Sequence, residues 1–256
     1  MIELKKVCAS YDRHTVLQDV SAVFPREKVS VLLGPNGCGK TTLLKTALGL
    51  LPRDRGEILY DGQEISSLTA REIALHAAYL SQSRNIPHIS VGRMVLHGRF
   101  PHLSYPRHYR REDYEIVRHA LQRTDSLDLI DRPMEELSGG QRQKVYLAMA
   151  LAQETNTIFM DEPTTYLDVR HQLEVMDIAR SLAEEGIAVV MVLHDLSLAL
   201  RTADQTIVMN GGRILQSGTP DEIYASGTLQ QVFSVQVRRM ATEDGWQYYC
   251  TSDKEH

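Results

Sequence analysis

Residues 34–42 read Gly-Pro-Asn-Gly-Cys-Gly-Lys-Thr-Thr and come directly after the apolar run Val29 to Leu33. Three glycines let the backbone turn so that successive N–H groups point at one anion, and Lys40 sets a long cation beside them. The spacing fits G-x-x-x-x-G-K-[ST], in which amides cradle phosphates, the lysine reaches the β- and γ-phosphates and the hydroxyl faces Mg2+. Gly34, Pro35, Asn36, Gly37, Cys38, Gly39, Lys40, Thr41 and Thr42 therefore form a candidate triphosphate cradle, with Thr41 as a metal ligand. The run TTLLKTAL supplies the helix that the motif needs, whose positive N-terminal end adds to anion binding. Cys38 reads as a small filler of this loop rather than a redox switch.

A second pair of groups fits the same chemistry. Asp161 and Glu162 close the apolar run TIFM, at the carboxyl end of a buried strand, where open α/β sheets bind ligands. Asp161 suits a Mg2+ ligand and Glu162 a base that orients or deprotonates water. Farther back, Ser138 is placed to cap a helix that opens on Gly139, Gly140 and Gln141. Two glycines at a helix start leave amides free for a second anion contact.

The elements that must carry these groups are legible in outline. VSVLL at 29–33, TIFM at 157–160 and IAVVMVL at 187–193 are continuous apolar runs suited to parallel strands covered on both faces. Between the last two, Val175, Ile178, Ala179 and Leu182 recur at helical spacing, and Gly186 stands where a helix ends. Residues 1–28 and 56–65 predict an antiparallel patch, with Asp61-Gly62 as a type I′ hairpin turn. From 86 to 140 helix-like segments dominate. The fold class expected is α/β: a phosphate-binding core with a mainly parallel sheet and flanking helices, an N-terminal antiparallel β patch and an inserted helical subdomain at 86–140. One domain spans 1–251, its core formed by 1–85 and 141–251. A short hairpin is expected around Asp244-Gly245, and a disordered tail at 252–256.

Composition narrows the function classes. A chain of 256 residues is enough for one large core, since single cores stop growing at roughly 250–300 residues. Three cysteines, Cys8, Cys38 and Cys250, have no metal spacing, and nothing at the N-terminus reads as a signal peptide, which favours a reducing compartment. No apolar run approaches the ~20 residues needed to cross a bilayer. A formal charge of −5 disfavours nucleic acid as a partner. The stretch 93–111, rich in arginine and histidine with Phe100, Tyr105 and Tyr109, has the basic-aromatic mix of a nucleic-acid surface but equally that of a solvated loop. His97, His102 and His108 lack metal-ligand spacing. The sequence shows neither internal repeats nor low-complexity tracts.

Taken together, GPNGCGKTT, TIFMDEP and LSGGQRQK resemble the nucleotide-binding subunits of ABC transporters, over nearly the whole chain. The resemblance implies ATP hydrolysis with Mg2+ and further roles by position. Tyr11 resembles the aromatic residue that stacks on adenine. Gln82 is similar to the glutamine that touches Mg2+ and the attacking water, and His194 to the switch histidine at the γ-phosphate. Ser138, Gly139, Gly140 and Gln141 match the signature, and Asp168 the D-loop. Two copies would then close head to tail around two ATP molecules, as a homodimer. With the pore on separate permease chains, the resemblance implies a peripheral subunit on the cytoplasmic face of a bacterial inner membrane, served indirectly by a substrate-binding protein.

Within the family, the GRFPH stretch resembles the iron-siderophore, haem and cobalamin importers, and LAQETNTIFMDEPTTYLDVRHQLEVMDIARSL is most similar to the ferric-siderophore branch. Haem or cobalamin import is the nearer alternative, and a soluble ABC-type ATPase in iron–sulfur assembly or nucleic-acid transactions the more distant one. The C-terminal stretch lacks the D-P-x-x-G-x-P ending of the siderophore relatives.

Overall fold

The computed structural model describes residues 1–12, 14–82, 86–243 and 245–252. The chain opens with an antiparallel pair, β1 (Ile2–Tyr11) and β2 (His14–Phe24), then β3 (Val29–Leu33) and α1 (Lys40–Ala47). A hairpin, β4 (Arg55–Tyr60) and β5 (Gln63–Glu64), joins β1 and β2 in one four-stranded sheet of order β2-β1-β4-β5. Its turn is Asp61-Gly62, both at positive φ (49° and 85°), as a type I′ turn requires.

After α2 (Ala70–His76) comes β6 (Ala77–Leu80), and later β7 (Thr157–Asp161), β8 (Ala188–Val192), β9 (Gln205–Asn210) and β10 (Arg213–Gly218). These strands and β3 form a six-stranded sheet of order β10-β9-β3-β8-β7-β6, parallel except for β10 at its edge. The strands β6, β9 and β10 are not among those the apolar runs predict, and they complete both edges of the sheet.

The continuous apolar runs have a structural reason. Along β3, Val29, Val31 and Leu33 face one core and Leu32 the other; along β8, Val189 and Met191 face the first while Val190 and Val192 face the second. The first core is closed by helices, including α5 (Gly139–Ala152), α6 (Val169–Glu184) and α7 (Leu196–Thr202). The second lies between the sheet, α1 and the antiparallel strands, where Phe24 meets Phe159 edge to face at 5.8 Å. With both faces covered these strands are apolar at nearly every position; the exception, Ser30 of β3, is buried with its Oγ donating to Gln205 Oε1 at 3.1 Å.

Between Ile86 and Leu137 the described residues form α3 (Val91–Leu96), α4 (Arg111–Arg123) and short 3-10 turns, with one isolated bridge, Ser90 to Pro133. α3 and α4 pack on α5, which begins at Gly139 and so runs across the boundary expected at 140/141. α6 ends in a Schellman motif: Gly186 N–H bonds Ala183 O at 3.0 Å, Ile187 N–H bonds Leu182 O at 3.0 Å, and Gly186 has φ 97°. After α8 (Pro220–Ser226) and α9 (Thr228–Phe233), β11 (Val235–Thr242) and β12 (Gly245–Ser252) pair as a hairpin. Asp244 and residues 253–256 lie outside the described residues. The last strand includes Ser252, one residue into the segment expected to be a tail.

Candidate functional site

Parallel strands gather the site. β3, β8, β7 and β6 run side by side, so their carboxyl ends deliver their groups to one edge of the sheet: Gly34 after β3, Gln82 after β6, Asp161 and Glu162 at β7, His194 after β8. Asn36, Gly37, Gly39, Lys40, Thr41, Thr42, Gln82, Glu162 and His194 line a shared cleft of about 380 Å3, with Val16 of β2 at its side. Two larger hollows, about 540 and 690 Å3, lie over α4 and contain none of these groups. Donor chemistry, not volume, marks the site.

The loop shape depends on its glycines. Gly39 caps α1 at φ 106° and Gly37 has φ 76°, both left-handed. At Gly34 a Cβ would collide with Met209 O and stand 2.6 Å from Cys38 Sγ, so the loop can rest on β9 only without a side chain there. Cys38 is buried, burial pushes its thiol pKa up, and its carbonyl accepts from Gly212 N–H at 3.0 Å. It packs the loop, as a filler does. Lys40 is buried too, its Nζ donating to Gly34 O at 2.7 Å and Pro35 O at 3.0 Å.

The carboxylates divide by surroundings. Asp161 is 1% exposed; Thr41 Oγ1 donates to its Oδ1 and Tyr79 OH to its Oδ2, both at 3.1 Å. Burial raises its pKa, and those two hydroxyls counter part of the rise. Glu162 stands at φ 53° in the left-handed region, which turns its side chain away from that of Asp161 and into the cleft. Its Oε2 accepts from Gln82 Nε2 at 2.6 Å and Thr165 Oγ1 at 3.1 Å, and its Oε1 lies 2.5 Å from His194 Nε2. Oxygen donors on Thr41 and Asp161 at hydrogen-bond separation fit a hard cation such as Mg2+, which is commonly held by one or two carboxylates plus substrate phosphates.

The remaining predicted residues stand elsewhere. Ser138 caps α5, its Oγ accepting from Gln141 N–H at 3.2 Å while Gln141 Oε1 accepts from Ser138 N–H at 3.0 Å. As first-turn amides, those of Gly139 and Gly140 have no acceptor within the helix. Asp168 caps α6 through His171 N–H at 2.9 Å. Tyr11 ends β1, 43% exposed. Among the described residues, none of these lines the cleft that holds Lys40 and Glu162.

Two members were not predicted. Tyr79 offers no signal on its own in AAYL, because its role depends on which strand lies beside it. Thr165, three residues beyond Glu162 in DEPTT, was within reach of a turn argument.

The ABC transporter family model matches residues 17–165. The chain belongs to that family. The iron(3+)-hydroxamate import ATP-binding protein FhuC of Bacillus subtilis is 39% identical over 227 residues, covering 88% of this chain and 84% of its own length. The ferric enterobactin transport ATP-binding protein FepC of Escherichia coli is 36% identical over 90% of this chain and 86% of its own. The hemin import ATP-binding protein HmuV of Thermobifida fusca is 39% identical over 89% and 80%. Among solved structures, cbiO1 of Clostridium perfringens, part of the ABC transporter complex cbiONQ, superposes with a TM-score of 0.79 at 26% identity, covering 90% of this chain and 93% of its own. The chain is thus an ABC ATPase with ATP as its nucleotide, a subunit that works with transmembrane permease components. No helix among the described residues is long and apolar enough to cross a membrane.

Proposed function

We propose that this ABC ATPase drives uptake of a ferric siderophore, working as a head-to-tail homodimer on the cytoplasmic face of a bacterial inner membrane. The observation that carries the dimer is the division of the site. One cleft holds the cradle, Gln82, Glu162 and His194, while the free amides of Gly139 and Gly140 lie outside it. A second copy supplies those amides to the γ-phosphate, so each ATP is gripped by Lys40 and the loop amides of one subunit and by α5 of its twin. Tyr11 stacks on the adenine. Asp168 holds the start of α6 at the junction.

In the closed dimer Glu162 accepts the proton of the attacking water, and Gln82 and His194 fix that carboxylate and the water's position. Lys40 and the amides of residues 36–41 stabilise charge on the phosphate oxygens as the bond breaks. Thr41 and Asp161, with Gln82, would hold Mg2+, which supplies charge neutralisation at the phosphates. Proximity and electrostatics carry the rate, with no covalent intermediate on the protein.

The cargo reading rests on the names of relatives and on the siderophore-like stretch around LAQET, with a substrate-binding protein delivering the cargo outside the membrane. The 39% identity to a hemin importer favours haem as a second reading. Reconstitution with the co-purifying permease separates the two. Ferric siderophore presented by the binding protein should raise ATP turnover, stimulation by hemin alone would transfer the cargo to haem, and a purely soluble complex would reject transport.

A further inference from the structure

The signature glycine and the D-loop aspartate belong to different elements of one subunit, and one imidazole bridges them. Asp168 Oδ1 accepts from His171 Nδ1 at 2.7 Å as well as from His171 N–H at 2.9 Å. The Asp168 pKa is lowered, first by that backbone N–H and then by the ring, so the carboxylate is ionised and His171 Nδ1 must carry the proton. The far side of the ring lies on α5. A Cβ built on Gly140 would stand 2.5 Å from His171 Cδ2 and 2.7 Å from Nε2, so the ring fills the space that any other residue at 140 would need. His171 therefore packs beside Gly140 at the start of α5 while its other edge is held by the carboxylate that caps α6.

We propose that His171 is a positioning residue that locks the signature amides of Gly139 and Gly140 to Asp168, so that closure over ATP sets both at once. This rests on the composite-site reading above. His171 is not among the residues that line the cradle cleft, and its effect falls on the second grip on the nucleotide. It acts on dimer closure rather than on binding of nucleotide to a lone subunit. Two contacts of different kind carry the link: a hydrogen bond to Asp168, which an asparagine amide can imitate, and the far edge of the ring packed beside Gly140, which a phenylalanine ring can imitate.

The test uses the full chain in an E162Q background, reading ATP-dependent dimerisation by sedimentation and nucleotide binding to the lone subunit with a fluorescent ADP analogue. His171→Ala is expected to raise the ATP concentration for half-maximal dimerisation about tenfold, within the usual range of coupling between sites, and to leave ADP-analogue affinity unchanged. H171N and H171F are each expected to recover part of that loss. A dimerisation midpoint in H171A equal to that of its parent would overturn the proposal. So would an equal loss of ADP-analogue affinity, which would mean a general structural effect. If the E162Q parent itself fails to dimerise with ATP, the composite-site reading falls and takes this one with it.

A second readout does not depend on dimer formation. In the lone subunit, D168N is expected to move the Gly140 amide resonance when His171 is present and to leave it in place when His171 is alanine. An unmoved Gly140 resonance in D168N with His171 intact would overturn the link between the two elements.

Discussion

Glu162 Oε1 and His194 Nε2 stand 2.5 Å apart across the carboxyl ends of the neighbouring strands β7 and β8. The other carboxylate oxygen is bound by Gln82 and Thr165, so the group is oriented from three separate segments of chain. Such a carboxylate has little freedom to leave the cleft, which suits a base that must meet one water in one geometry.

Glu162→Gln keeps the size of the side chain and removes its basicity. The expected result is a loss of ATP turnover of about 10²–10⁴, the usual contribution of a positioned general base, with ATP binding retained. Single-turnover hydrolysis and filter binding of labelled ATP measure the two separately. Turnover at the wild-type rate would refute the assigned role of Glu162.

Lys40 raises a different expectation because it is buried among carbonyls rather than carboxylates. Its charge has no compensating anion within the loop, and the phosphates supply one. Lys40→Ala should weaken ATP binding by about 1.5–3 kcal/mol, the range for hydrogen bonds to charged groups, or roughly ten- to a hundredfold in Kd. Calorimetric titration with ATP reads this directly, and a folded variant with unaltered affinity would remove Lys40 from the cradle.

Asp161 makes a prediction about stability and pH. Burial raises its pKa, so the folded chain holds that proton more readily than the unfolded chain does. The ionised group therefore opposes folding once pH exceeds the ordinary carboxylate range, and below that range, with both states protonated, it opposes nothing. Asp161→Asn should lose ATPase activity yet unfold at a higher temperature than the parent at pH 7, with the difference closing as pH falls from the raised folded value toward 3.8 and gone below it. The hydroxyls of Thr41 and Tyr79 can rotate to meet an amide. Thermal unfolding followed by circular dichroism across pH checks the sign.

The sequence carried the centre of the fold more clearly than its edges. VSVLL, TIFM and the run ending at Val192 are buried on both faces, and that burial wrote itself into runs that are apolar but for Ser30 and Thr157. β10 is an edge strand, half exposed along its length, so its pattern is diluted. β6 has four residues and comes straight after α2, with neither glycine nor proline between them. The same division holds at the site. Lys40, Asp161 and Glu162 lie in local motifs whose spacing states the chemistry. Tyr79 and His171 have partners 82 and 31 residues away in sequence, at Asp161 and Gly140, and only the packed chain brings those pairs together.

The last prediction concerns how the helical segment is fastened. Arg99 and Asp113 are each 6% exposed, and Arg99 Nε donates to Asp113 Oδ1 at 2.9 Å. Asp113 Oδ2 accepts from Arg110 N–H at 2.8 Å, while Arg99 Nη1 donates to Ala152 O at 2.8 Å and Glu154 Oε2 at 2.6 Å, tying the start of α4 to the end of α5. Asp113→Ala would strand a buried guanidinium, which costs about 3–5 kcal/mol when no partner remains. Glu154 and the Ala152 carbonyl still hold Arg99, so the lower end, about 3 kcal/mol, is expected. Burial pushes the Asp113 pKa up, but the Arg110 amide and the Arg99 guanidinium outweigh it and hold the carboxyl below its ordinary value. The stabilisation is thus complete above the ordinary carboxylate pKa and lost as pH falls through the lower folded value. Urea unfolding of parent and variant should differ most near neutrality and converge in acid. Replacing both residues together, Arg99→Met with Asp113→Leu, should recover much of the loss, because it removes the unpaired charge along with its partner. A double variant no more stable than D113A alone would show that the geometry of the pair, rather than its buried charge, fastens α4 to α5.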